Sequence, residues 1–514
     1  MTSLWGRFVE VAGRHPERVA VVLGDQRCTF GGWLRRSLRI GGWLLRAGIR
    51  PGDRVLVWLD PSPDMAAAVY GVWAMGGVVV LVDPRSRPAH VRHAMETTGA
   101  AAVLHAASAP PPDGSPGGLL SAAVEDATGP ADEALAGRDR LGCEPASIVF
   151  TSGSTGAPKG VTQTHGSLAR GCSTVNGYLG LSAEDTILCA VPWSFDYGFM
   201  QLQATATFGA TQVLPAQPLP QLICEAIEEH RPTVLPATPS LLSYLYQRIS
   251  PLPQTDVSSI RTVTSTGGTV PAPVLAALLD QFGHARTFLN YGLTESYRTS
   301  YLDPALVRER PASIGRAIPG VDVLVLREDG TRAEPGESGQ LVHRGDYLFL
   351  GYWNDTAATA RALRPDPLAP PGCPNPPPAL FTGDWGHVDA DGLLYFEGRR
   401  DRLLKSLGVR VSPGEVEQLL HASGLVAEAA VFGRPHELLG QEVCAAVVPR
   451  DGLTDVVPRL KAHARATMSP HMTPRRFLVR RSLPKTTSGK IDYELLSQPD
   501  GPDGPDGPDG PSAQ

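Results

Sequence analysis

The sequence has no excess of basic residues: 46 Lys and Arg face 52 Asp and Glu, a net charge of −6. A general nucleic-acid binder needs clustered cations against the phosphates, so that class is excluded. CxxC pairs and Cys/His clusters are also missing. The seven cysteines stand singly at 28, 143, 172, 189, 224, 373 and 444, which fits neither a metal site nor a disulfide framework. Reduced, mostly buried thiols are expected. Residues 1–20 carry Glu10 and Glu17 and have no apolar core like a secretory signal. One stretch, Met65 to Val82, runs 18 residues without a charge, the lower limit for a membrane span. Gly76-Gly77 divides it, so a buried helix followed by a buried strand is predicted, with no membrane association and a cytoplasmic location.

A chain of 514 residues exceeds one ordinary core, so at least two domains are expected. Its apolar fraction of 42% is that of a globular protein. Strand-like Arg54 to Leu59, helical Asp64 to Met75, and strand-like Val78 to Val82 and Ala101 to Leu104 alternate as βαβ units of a mostly parallel sheet do. Ile187 to Val191, Thr233 to Leu235 and Thr262 to Ser265 add further strands. From Val321 the pattern becomes antiparallel: Asp322 to Leu326, Gly339 to His343 and Leu393 to Phe396, separated by Gly and Asp turns. Between them the proline-rich Leu363 to Leu380 reads as an exposed loop. Charges cluster at 399–402, and a compact segment follows to about Leu496. The expectation is an α/β fold with a large domain over 1–400 and a small α+β domain over 401–496. The tail, 497–514, repeats Gly-Pro-Asp and reads as disordered.

Four segments carry chemistry. Thr151-Ser152-Gly153-Ser154-Thr155-Gly156-Ala157-Pro158-Lys159-Gly160 follows the strand-like Ile148-Val149-Phe150. Its glycines let backbone N–H groups approach a polyphosphate, its hydroxyls donate, and Lys159 adds charge. The spacing is not that of a Walker loop. Asn290-Tyr291-Gly292-Leu293-Thr294-Glu295 offers an aromatic ring for a purine, a hydroxyl for a phosphate and a carboxylate for Mg²⁺, although a turn with a surface glutamate reads equally well. Thr382-Gly383-Asp384 precedes Arg399; a carboxylate suits two ribose hydroxyls and an arginine a phosphate. Asp389 and Asp391 read as a hairpin turn rather than a catalytic pair. In Lys485-Thr486-Thr487-Ser488-Gly489-Lys490, a lysine on a Gly-flanked loop could be carried to a distant site, but taken alone it reads as a surface lysine.

In this order, from Leu4 to about Leu496, the four segments resemble the acyl-adenylate-forming superfamily of acyl-CoA synthetases, nonribosomal peptide synthetase adenylation domains and luciferases. That resemblance implies a large multi-subdomain N-terminal domain with mostly parallel sheets and a small β-barrel-like part, followed by a mobile C-terminal domain. It makes Thr151 to Lys159 the phosphate loop, with Thr155 catalytic. It puts Asn290, Tyr291 and Gly292 on adenine, Thr294 on phosphate and Glu295 toward Mg²⁺. Asp384 becomes the ribose ligand, followed by Arg399. Asp401 sits at the hinge, Lys405 to Val411 matches the loop entering during thiol transfer, and Lys490 matches the adenylating lysine. The cofactors implied are ATP and Mg²⁺. Two positions depart from the family pattern: Phe381 and Trp385 flank Thr382-Gly383-Asp384, and Tyr493 replaces a common arginine.

For the acid, Phe195-Asp196 resembles amino-acid-activating domains, in which the carboxylate pairs with a substrate ammonium; a helix-capping aspartate is the alternative. Tyr197, Met200, Thr264, Thr266, Asn290, Arg298 and Thr299 complete the expected wall. Arg298 could bind a second carboxylate or a polar tail of the substrate, or equally pair with a neighbouring Asp or Glu. No carrier-protein or condensation signature follows Lys490. The expectation is therefore a freestanding enzyme that adenylates an amino acid and loads the phosphopantetheine thiol of a separate carrier protein. The alternative is an acyl-CoA synthetase for a non-amino acid, with coenzyme A as acceptor.

Overall fold

The uncharged stretch folds as its pattern requires. Ser62 caps the helix Pro63–Met75 by accepting from the Met65 amide, and Gly76, at φ 87°, ends it in the left-handed region that glycine enters without strain. The all-buried strand Val78–Leu81 follows at once. A computed structural model describes residues 3–86, 88–108, 120–127, 129–151, 158–247, 250–399, 404–406, 409–436, 440–450, 453–485 and 491–497.

Val78–Leu81 lies at the middle of a seven-stranded sheet ordered Gly351–Tyr352, Lys159–Thr164, Pro145–Thr151, Val78–Leu81, Arg54–Trp58, Ala102–His105, Leu120–Ala123. The pairings are parallel from Pro145–Thr151 onward and antiparallel at the Gly351–Tyr352 edge. Phe8, Trp33, Tyr70 and Trp73 pack against one another at tilted and edge-to-face angles in the core beside it, and the Trp73 indole donates to the Ala146 carbonyl. Burying these rings supplies most of the local cohesion, since each removes a large apolar area from water.

A second, larger sheet has two characters. Val19–Leu23, Thr211–Leu214, Thr186–Leu188, Val234–Ala237, Thr262–Ser265 and Arg286–Tyr291 pair in parallel. Ser300–Leu302, Ser313–Ala317, Leu394–Arg399, Pro378–Val388, Gly339–Gly345 and Val321–Leu326 then continue it antiparallel. The change of direction falls at Arg286–Tyr291, and ligands in open α/β sheets gather outside carboxyl strand ends of this kind.

The proline-rich stretch differs from the expected loop at both ends. Leu363–Pro365 pairs with Leu380, Ala379 and Pro378 as a short edge strand, and Arg364 stacks on the Phe381 ring at 4.5 Å. Proline is tolerated there because an edge position needs no second donor. Residues 366–377 remain outside any strand or helix.

After the larger sheet comes a small one: Leu404–Ser406, Val409–Val411, Val426–His436, Gly440–Pro449 and Arg476–Val479. With the helices Pro413–Ala422 and Val456–Thr467 it has its own core around Val416, Leu420, Val431, Ala445 and Leu460. Tyr493, one of the departures from the family pattern, donates its hydroxyl to Glu417 in this part of the chain. Five of the seven cysteines are buried. Among the described residues no helix is long and apolar enough to cross a membrane.

Burial holds His165, His343 and His421 down to about 4, so all three are neutral at pH 7. In the unfolded chain they titrate near about 6.5, so the unfolded state binds more protons as pH falls and stability drops with it. Urea midpoints should therefore decline from pH 7 to pH 5. His343→Gln, whose amide can still accept from Thr299 and donate to the Asp346 carbonyl, should shallow that decline. A flat profile would contradict the assignment.

Candidate active site

Arg286–Tyr291 delivers Asn290 and Tyr291 to the carboxyl edge of the parallel strands, and the chain then reverses through the short turn Thr294–Ser296. Gly292 permits the reversal: a Cβ there would lie 3.0 Å from Arg298 Cα. Tyr297, at φ 55°, takes the strained conformation. Its ring occupies the space left by Gly171, where a Cβ would approach to 2.6 Å, and its hydroxyl reaches Gln203. The result sets Thr299 beside Tyr291, with a 3.0 Å bond from the Thr299 amide to the Tyr291 carbonyl.

Tyr291 donates its hydroxyl to Asp384 Oδ2 at 2.6 Å. Asp384 faces Arg399 across the antiparallel pair, with Arg399 Nε 3.3 Å from Oδ1. The Asp384 amide donates to the Thr382 hydroxyl at 3.0 Å. Asp384 is only 4% exposed, and an anion so buried needs such partners. Burial, and then the Asp384 charge, push the Tyr291 phenol far up, so it stays a donor. Two segments 93 residues apart in the chain thus share one carboxylate.

The Thr151 and Lys159 segments also meet. These residues are cross-strand partners at the loop end of the hairpin formed by Pro145–Thr151 and Lys159–Thr164. Lys159 Nζ lies 5.2 Å from the centre of the Tyr352 ring, and Tyr352 donates to Glu295 Oε1 at 2.8 Å. Burial and the Glu295 charge push Tyr352 up, keeping it protonated. Gln163, two turns of the pleat beyond Lys159, donates to the Thr294 carbonyl. Tyr352 and Gln163 carry no motif of their own; the aromatic run after Gly351 is the one sequence signal that could have marked Tyr352.

Mg²⁺ bridging phosphates needs one or two carboxylates and takes its remaining ligands from phosphate and water. Glu295 fits that demand: Tyr352 holds one of its oxygens. Among the described residues no cluster of three metal-ligating side chains exists, so a cage made wholly of protein is not what these residues build.

The expected acid wall surrounds the helix Asp196–Phe208. Gly198 lets this helix start flush against Pro192, whose carbonyl would lie 2.1 Å from an added Cβ. Asp196 Oδ1 accepts from the Tyr197 amide and Oδ2 from the Thr294 hydroxyl, both at 2.7 Å. Thr294 therefore turns its hydroxyl to Asp196 here. Tyr197 donates to the Thr264 carbonyl at 2.7 Å, Asn290 to the Thr264 hydroxyl at 2.8 Å, and Tyr178 to Asn290 at 2.9 Å. Asp196, Met200, Gln203, Thr294 and Tyr297 line a narrow cavity. Arg298 is buried over the Tyr197 ring. Thr266 is buried just beyond Thr262–Ser265. Thr299 lies behind the wall, its hydroxyl spent on Ser296 and His343. A larger depression of about 590 Å³ is lined by none of these residues, and its Arg170 and Arg344 pair with Asp346 and Asp366.

Asp389 accepts from the Asp391 and Leu393 amides and so shapes a turn, as read from the sequence. Ser152, Gly153, Ser154, Thr155, Gly156, Asp401 and Lys490 lie outside the described residues.

Comparison with known proteins accounts for this arrangement. Residues 8–353 match the AMP-binding enzyme family and residues 415–490 the AMP-binding enzyme C-terminal domain. A feruloyl-CoA synthase from Amycolatopsis is 30% identical, over 94% of this chain and 96% of its own length. A probable non-canonical nonribosomal peptide synthetase from Salinispora arenicola is also 30% identical over 95% of this chain, but the match covers 6% of that protein. The o-succinylbenzoate CoA synthetase of Bacillus subtilis, solved with its acyl-adenylate intermediate, superposes with a TM-score of 0.85 at 26% identity, covering 96% of this chain and 98% of the synthetase. The same synthetase with ATP and magnesium ion gives 0.84 at 25%, covering 96% and 99%. The chain therefore belongs to the AMP-binding enzyme family, as an AMP-forming ligase.

Proposed function

We propose that the enzyme joins a carboxylic acid to the α-phosphorus of ATP and then passes the acyl group to the thiol of coenzyme A. The observation that carries this reading is the shared carboxylate: Tyr291, Asp384 and Arg399, from distant segments, form one polar cluster at the sheet edge. In this reading the Tyr291 ring lies against adenine with Asn290 and Gly292 beside it, Asp384 accepts the ribose hydroxyls, and Arg399 faces the ribose or phosphate edge. The loop from Thr151 through Ser152, Gly153, Ser154, Thr155 and Gly156 to Lys159 wraps the phosphates with backbone N–H groups and hydroxyls.

The acid oxygen attacks the α-phosphorus, the bond to the β-phosphate oxygen breaks, and pyrophosphate leaves. A magnesium ion held by Glu295 and the phosphates would supply positive charge there. Lys490 brings a further cation to the acid carboxylate and the phosphate, offsetting charge as it builds. For the second step the domain over 401–496 turns about Asp401 and Lys405 to Val411 enters the site. The thiol then attacks the acyl carbon, its proton goes to solvent, and AMP departs.

Coenzyme A and a plain acid are favoured over a carrier protein and an amino acid. Relatives matched over nearly their whole length include a feruloyl-CoA synthase and an o-succinylbenzoate CoA synthetase. The second reading rests on Asp196, whose two oxygens are already engaged by Tyr197 and Thr294 in the geometry of a helix-start carboxylate. Met200, Thr264 and Thr266 then serve as acid-facing wall in either reading.

Acid-dependent AMP release from ATP and coenzyme A tests this. Plain carboxylic acids should support turnover, amino acids should not, and Asp196→Ala should retain the plain-acid reaction. Turnover confined to amino acids and abolished by Asp196→Ala would overturn the choice of acid. In the same assay Asp384→Ala should raise the KM for ATP about tenfold or more, the scale of a lost charge-assisted hydrogen bond. Glu295→Gln should lower kcat by roughly a hundredfold, as removing one charge-stabilising group does. An unchanged KM in Asp384→Ala would remove the nucleotide from this cluster.

A further inference from the structure

Arg298 carries a charge that the reaction above does not use. It is 3% exposed. Among the described residues no Asp or Glu lies within ion-pair distance of it, and its Nε has no hydrogen-bond partner. Its contacts are soft: the Tyr197 ring 5.5 Å from the guanidinium carbon and Met200 Sδ 3.6 Å from Nη2. The nearby phenols do not supply a counter-charge. Burial pushes Tyr197 up to about 12 and Tyr178 and Tyr297 higher still, despite the pull of Arg298 itself. Asp196, at the start of the helix that carries Tyr197 and Met200, spends its oxygens on Thr294 and the Tyr197 amide.

A buried cation without an anion is costly, and buried polar groups in folded proteins are almost always partnered. The backbone nevertheless holds Arg298 in place: it follows strained Tyr297, and its Cα is packed so close to Gly292 that a Cβ there would lie 3.0 Å away. Around it, Tyr197 and Asn290 are both tied to Thr264, and the guanidinium lies over the Tyr197 ring beside these residues expected to face the acid. In the reaction proposed above, the reacting carboxylate is served by Lys490 and magnesium, so it does not call on Arg298.

We infer that Arg298 anchors a second anionic group on the substrate, so that the enzyme activates one carboxylate of a dicarboxylic acid while the other pairs with the guanidinium. The inference rests on the acid-activating reading above and narrows it. A guanidinium receives a carboxylate through two parallel N–H bonds, and a site built around such a charge discriminates strongly against a ligand that leaves it unpaired.

The test uses the full chain and a series of aliphatic and aromatic dicarboxylic acids, each beside its monomethyl ester, in acid-dependent AMP release. Wild type should prefer the diacid in kcat/KM by roughly thirtyfold or more, the scale of a desolvated charge pair. Arg298→Met, which fills similar volume without charge, should abolish that preference, bringing diacid and half-ester to comparable kcat/KM; Arg298→Lys should keep part of it. Wild-type preference for half-esters or plain monoacids would overturn the inference and leave acid activation standing. So would Arg298→Met lowering both substrates by one factor, as a purely structural role predicts. Should Arg298→Met fail to fold, the wild-type ratio and Arg298→Lys still decide. Failure of every acid to release AMP would instead overturn the acid-activating reading itself.

Discussion

The hydrogen bond from Tyr291 to Asp384 joins the last parallel strand of the large sheet to the antiparallel strands beyond it. Asp384 is almost fully buried, and a carboxylate there is tolerable only if its charge is met. Arg399 meets the charge from the paired strand and Tyr291 meets it from the end of the parallel strand. The same contact fixes where the Tyr291 ring stands, and through the Gly292 reversal it fixes Thr294, Glu295 and Arg298 as well. On the other sheet, Gln163 holds the Thr294 carbonyl and Tyr352 holds Glu295. The proposed phosphate end and ribose end are therefore positioned by one continuous set of bonds rather than by independent loops.

That architecture suits a two-step ligase. Activation needs cations arranged around a polyphosphate before charge develops, which rigid strand ends supply. Thiol attack needs access to the same carbonyl afterwards, which a separate small unit can supply by moving. Its own core around Val416 and Leu460 is consistent with the proposed rotation as a body.

Much of this was legible in the sequence because local pattern and tertiary role agreed. Gly76-Gly77 splits an uncharged run whose two halves have helical and strand composition, and both halves are buried as read. The apolar Ile148-Val149-Phe150 places Thr151 at a strand end, and Asp389 makes the turn that Asp-Gly chemistry suggests. What was not legible depends on contacts between distant segments. Tyr352 reaches Glu295 because a two-residue edge strand pairs with Lys159–Thr164, which no local spacing encodes. Asp196 read as an ammonium ligand, with a helix-capping aspartate as the alternative, and the Thr294 hydroxyl that it accepts from lies 98 residues away in the chain. Arg298 could have had a partner anywhere in the chain. The proline-rich stretch hid an edge pairing, since proline content argues against a central strand and says little about an edge.

The most direct measurement is a double-mutant cycle on ATP affinity, with Tyr291→Phe, Asp384→Asn and both together, read by isothermal titration calorimetry. If one shared carboxylate builds the nucleotide site, each single change weakens ATP binding. The double change then costs less than their sum, by a coupling of about 0.5–3 kcal/mol. Strictly additive losses, or ATP binding untouched by either substitution, would contradict the account.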